Sequence, residues 1–255
     1  MVWLLYMGLP ETELGPQQKH IIELARALER TPDAVSLKAR NIAATDERRL
    51  VNGYHAMSNV GRYDREVWED FYREGDALIL RAYDLLSVTL GSSAEFDSSA
   101  EIQIETLSEI LDYPEGKTRE ALVAARVNQS YFRNRLFENY NGRCCVTGLS
   151  IKKLLVATHI KSLSVSNSAT ERLALDNGLL LNALHGRAFD QGLITLDKNL
   201  RVVVSSSVPK DDDAANRFIW EYEGFPIEEP KAFKPRPEFI EYHNDVIFQH
   251  EASNR

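Results

Sequence analysis

Apolar positions recur at helical spacing through the first ninety residues, and the pattern changes character after Arg143. Between Gln17 and Asp46, Ile21, Ile22, Leu24, Ala25 and Leu28 share one helical stripe. After a break at Arg30–Thr31, Ala34, Val35, Leu37, Ala39, Ile42 and Ala43 form a second. Thr31 followed by Pro32 is a helix start: a side chain that accepts from orphan amides, then a ring with φ already set and no amide to satisfy. The pattern predicts two helices and a tight turn, with Ser36, Lys38, Arg40 and Asn41 on the polar side of the second. Such a pair is helix-turn-helix-like, although two packed helices that touch no DNA share the pattern.

Arg62 to Leu90 continues as a helical stretch, and GSSAEFDSSAE, Gly91 to Glu101, has the small polar composition of a linker. The expected domains are therefore an all-helical unit at 1–90 and a second at 102–255. Lys117–Tyr140 reads as a helix stopped by Asn141-Gly142. Beyond it, within 143–204, a β-branched apolar run ends at His159 and a polar loop leads to Asn177. A short apolar run follows, and then a short helix bearing His185 and Asp190. Leu193–Ser205 reads as a hairpin turning at Asp197, Lys198 and Asn199, and a last helix is expected around Phe239–Phe248. His243 and His250 read there as ordinary helix residues, and His20 and His55 likewise in the first domain. Helices followed by strand, loop, strand and helix make the expected class α+β.

Composition narrows this picture. The 255 residues suffice for a sizeable core, and 44% hydrophobic with 27% charged residues is ordinary for a globular protein. No apolar run approaches the roughly 20 residues of a membrane span, and Met1–Pro10 lacks the features of a signal peptide. The two cysteines, Cys144 and Cys145, are adjacent, which excludes a disulfide framework and a four-cysteine zinc and fits a cytoplasmic location. The net charge of −8 is unevenly spread: 61–115 is acidic, whereas Arg126, Arg133, Arg135, Arg143, Lys152, Lys153 and Lys161 face only Glu138 between Arg126 and Lys161. Local basic density governs attraction to a phosphate backbone, and this segment contains His159.

Four short motifs stand in order: Cys144, Val146, Thr147, Gly148; Ala157, His159, Ile160; Asn177, Gly178, Leu179, Leu181; and His185, Phe189, Asp190, Gly192, Leu193. Together they resemble the HNH endonuclease family, in the branch reading C-x-V-T-G, A-x-H-I, N-G-L-x-L and H-x-x-x-F-D-x-G-L. RTPDAVSLK, NIAATD and YDREVWEDF resemble the N-terminal region joined to this branch in restriction endonucleases. Ala125 to Arg133 resembles what precedes the nuclease motif, and Arg126, Gln129 and Arg133 there either reach DNA or, as favoured, brace the core.

The resemblance implies a ββα-metal domain and a metal-dependent endonuclease of restriction or phage-defence type. Hydrolysis needs an activated water, charge stabilisation and help for the leaving oxygen. By resemblance His159 is the general base, Asn177 fixes the loop or orients the base, and His185 with Asp190 holds one divalent ion. Mg, Mn, Ni or Zn could serve; Asn182 is a further candidate ligand, and Thr158 stands where many relatives place an acidic or histidine ligand. Double-stranded DNA is the expected partner, met by Lys38, Arg40, Arg133, Arg143, Lys152, Lys153, Lys161 and Arg187, and cutting both strands suggests a homodimer. A non-catalytic DNA-binding regulator and an RNA-cleaving effector are the alternatives.

Overall fold

In the computed structural model of the protein, Thr31 starts a helix as its sequence requires: its hydroxyl accepts from the Ala34 amide and Pro32 is the first helical residue. The structure describes residues 1–46, 60–90, 119–162 and 173–249, so the expected linker at Gly91–Glu101 lies outside the described residues, as do His55 and His250. The chain divides into two units, Met1–Tyr131 and Phe132–Arg255, within the helix Arg119–Asn139.

The first unit contains α1 (Val2–Gly8), α2 (Lys19–Ala27), α3 (Pro32–Ala44), α4 (Arg62–Glu74) and α5 (Asp76–Leu90), and opens α6 (Arg119–Asn139). The single helical stretch expected over Arg62–Leu90 is two helices, because Gly75 adopts a φ of 57° that ends the first. Trp3 and Tyr6 of α1 meet Trp68 of α4 edge to face, with ring centroids 5.8 and 5.7 Å apart. Buried Asp46 accepts from the hydroxyls of Tyr6 (2.9 Å) and Tyr131 (2.5 Å). The α2–α3 pair is present, but two of the four polar residues expected on its outer side are committed inside the unit. Buried Ser36 donates to the Leu14 carbonyl, and Lys38 pairs with buried Asp64.

The second unit takes up α6 at Phe132 and adds β1 (Leu155–His159), β2 (Gly178–Asn182), α7 (Ala183–Asp190), β3 (Ile194–Leu196), β4 (Val202–Val204), α8 (Asp213–Phe218) and α9 (Pro237–Tyr242). Helices with two small sheets make the class α+β, as expected. β1 and β2 pair antiparallel from Leu155↔Asn182 to His159↔Gly178, and α7 follows β2 directly. Asn182 makes that junction, its side chain accepting from the His185 amide at 2.9 Å. The hairpin expected over Leu193–Ser205 is β3–β4, closed by Asp197, whose carboxylate accepts from the amides of Asn199 and Arg201. The last helix stands where it was expected but changes type along its length: α over Pro237–Tyr242, it widens into a π turn over His243–Ile247. Phe132, Leu136, Leu155, Leu180, Phe189 and Ile194 lie in the buried core of this unit.

Candidate active site

Successive side chains of a strand point to opposite faces, and β1 uses both. Val156 and Thr158 face α7: a Cβ on Gly186 would stand 2.4 Å from Val156 Cγ2 and 3.3 Å from Thr158 Oγ1. His159 faces the other way, its ring stacked on Phe132 of α6 at 3.8 Å and 7°. Opposite it, Gly178 leaves room for that helix, since a Cβ there would fall 2.7 Å from both Phe132 Cζ and Leu136 Cδ1. His159 is half-buried, held on one side by its scaffold.

Asn177 is fully buried and spends its side chain on the chain just past His159. Its Oδ1 accepts from the Lys161 amide (2.8 Å), its Nδ2 donates to the Lys161 carbonyl (3.1 Å), and its own carbonyl accepts from the Ile160 amide (3.0 Å). A primary amide is the side chain that can accept and donate in this way at once. Asn177 is therefore built to fix the strand end rather than to touch a reacting group.

His185 sits on α7, 2% exposed. Its Nδ1 lies 3.1 Å from Asn182 Oδ1, a carbonyl-type oxygen that can only accept, so Nδ1 carries the proton and Nε2 keeps the lone pair. Nε2 is buried and has no hydrogen-bond partner among the described residues. Burial pushes the imidazole pKa down to about 4, so the ring is neutral at pH 7. The ring of Tyr222 meets it edge to face at 5.0 Å.

A neutral imidazole with an orphaned lone pair suits a metal ligand, and here the fit of a divalent ion rests on one nitrogen. Asp190 is exposed at the far end of α7, and five residues at ~100° each place it about 140° round the helix from His185. Asn182 is occupied, accepting from His185 and donating to Thr147 Oγ1 at 3.2 Å. Among the described residues no group of three or more His, Cys, Asp or Glu side chains is arranged to hold a metal ion.

The cations expected to meet DNA divide into two sets. Arg40, Arg143, Lys152, Lys153 and Arg187 are exposed. Arg133 braces instead: it donates to the Leu155 carbonyl at 2.9 Å and lies over the Phe137 ring. Lys38 is paired with Asp64, and the Lys161 ammonium lies 5.7 Å from the centre of the Tyr242 ring. Arg135, part of the basic run, is buried and bonded to both Glu138 oxygens.

Three participants have no signature in the local pattern. Phe132 reads as one more apolar helix position, and Tyr222 as part of a C-terminal wrap whose resemblance to the same branch assigns it no role in the site. His243, expected to be an ordinary helix residue, is fully buried, with Nε2 donating to the Phe189 carbonyl at 3.0 Å and Nδ1 2.8 Å from Thr195 Oγ1.

Residues 144–197 match a family described as HNH endonuclease. The family reading drawn from the four motifs therefore stands for this stretch, which contains His159, Asn177, His185 and Asp190 and stops before β4 and the C-terminal segment. No curated protein matches the chain. Among the described residues no helix is long and apolar enough to cross a membrane.

Proposed function

We propose that the protein is an endonuclease that hydrolyses phosphodiester bonds of DNA, with His159 as the general base that activates water, in a restriction or phage-defence role. The observation that carries this reading is the construction around His159: a half-buried imidazole stacked on Phe132, on a strand end fastened by Asn177, inside the segment that matches the nuclease family. An imidazole nitrogen is a base suited to taking a proton from water, and a fixed ring keeps its lone pair aimed at one place. The antiparallel pair β1–β2 and α7 form the ββα unit of this proposal. A divalent ion, when bound, supplies charge stabilisation at the phosphate, and His185 Nε2 is the nitrogen that would hold it. Arg143, Lys152, Lys153 and Arg187 provide exposed positive charge for the backbone.

The test is nicking of supercoiled plasmid, unmodified and cytosine-modified, with Mg²⁺, Mn²⁺ or Ni²⁺, by wild type and His159→Ala. Cutting by wild type and its loss in His159→Ala supports the proposal. The second reading, a DNA-binding regulator that keeps the nuclease fold, is favoured by Thr158 facing α7, where the resemblance would place an acidic or histidine ligand. Salt-sensitive DNA binding without cutting under any ion would select it.

A further inference from the structure

We propose that Arg236 is a positioning residue for His159, acting through Asp176 and Asn177; this rests on His159 being the general base. Arg236 lies outside the family match, 60 positions beyond Asp176, yet three hydrogen bonds join the two residues. Its amide donates to the Asp176 carbonyl (3.0 Å), its Nε to Oδ2 (2.8 Å) and its Nη2 to Oδ1 (3.0 Å). A bidentate guanidinium–carboxylate pair fixes orientation as well as distance, which a single ammonium contact does not. The guanidinium also lies over the ring of buried Phe239, at 4.8 Å, so the arginine is anchored to the core of its unit.

Asp176 is the middle residue of the 3-10 turn Leu175–Asn177. The next residue makes the three bonds to Ile160 and Lys161 that hold the chain immediately after His159. The far end of the same C-terminal helix returns to this place, since the Tyr242 ring lies beneath the Lys161 ammonium. α9 and the Arg236 that caps it therefore meet the base-bearing strand end at two points, through the turn at Asp176 and directly at Lys161. A displacement of a reacting group by a fraction of an ångström lowers turnover without unfolding the protein, and that is the signature expected here.

The experiment uses the full chain. Wild type, Arg236→Ala, Asp176→Ala and the double variant are compared in plasmid nicking, in thermal melting and in the NMR signal of the His159 ring, whose Cε1 proton is shifted by the stacked Phe132. Each single variant is expected to lower kcat about tenfold with KM within about twofold, to melt within a few degrees of wild type, and to move the His159 signal toward that of free histidine. The double variant is expected to lose no more than either single, because both remove one connection. Arg236→Lys, which keeps the charge but not the two-point grip, is expected to fall between. Losses that multiply in the double variant, or an unmoved His159 signal with unchanged kcat, would overturn the proposal. Should wild type not cut DNA at all, the nuclease reading fails separately, and the His159 signal alone decides: movement in both single variants supports the positioning role, and none overturns it.

Discussion

The two ends of α7 each carry a buried histidine contact, and they differ in one respect. At the N-terminal end His185 has Nδ1 bonded to Asn182 and Nε2 without a partner among the described residues. At the C-terminal end His243 has Nε2 bonded to the Phe189 carbonyl and Nδ1 beside the Thr195 hydroxyl, and its ring stacks on Phe189 at 3.8 Å. Burial pushes both imidazoles down to about pKa 4, so desolvation does not tell them apart. Partners do. A histidine whose two nitrogens are both occupied works as a clamp, whereas one left with a buried lone pair carries a cost that a bound ligand can relieve.

The largest effect expected from a single substitution is in His243→Ala. It removes a stacked ring and two polar partners, and about 4 kcal/mol of stability should be lost in urea unfolding. An effect within the range of a surface substitution would show that the clamp is not one. Next comes acid. The folded protein keeps both rings neutral to about pH 4, whereas unfolded histidine takes a proton near ~6.5, so the unfolded chain binds more protons between those values. Stability is then full above ~6.5 and is lost as pH falls to about 4, by about 3 kcal/mol for each ring. Unfolding measured at pH 7.5 and 4.5 checks this, and the drop should be smaller in His185→Leu. Gly186→Ala, which drives a methyl group into Val156 where α7 lies on β1, should cost about 2 kcal/mol.

The smallest stability change is expected where the chemistry is proposed. His185→Leu at pH 7 should change stability by about 1 kcal/mol or less, since it deletes an unpartnered buried nitrogen and leaves the helix cap intact. The same substitution should abolish any rise in Tm that Mn²⁺ or Ni²⁺ gives wild type. A large destabilisation together with a retained ion response would reverse the roles assigned to the two histidines.

Much of both units was legible because the signals are local. Thr31-Pro32, the β-branched run before His159 and the turn at Asp197 each specify their own few residues, whereas the capping role of Asn182 emerged only with the structure. The site was legible only as an order of motifs, and that order could not say which way a side chain points. Strand alternation puts Thr158, not His159, toward α7, and the helical repeat carries Asp190 round the axis from His185. What the pattern concealed is contact across long separations: Phe132 under His159, Arg236 on Asp176 and His243 on the end of α7. Gly75 escaped notice for a different reason, because a lone glycine in a helical pattern stands equally for tolerance and for a stop.

The most direct test of His159 as general base is nicking by His159→Gly in the presence of increasing imidazole. The expected result is a rate at least about a hundredfold below wild type that recovers in proportion to the neutral imidazole added. A His159→Gly protein that cuts DNA at the wild-type rate without imidazole would contradict it.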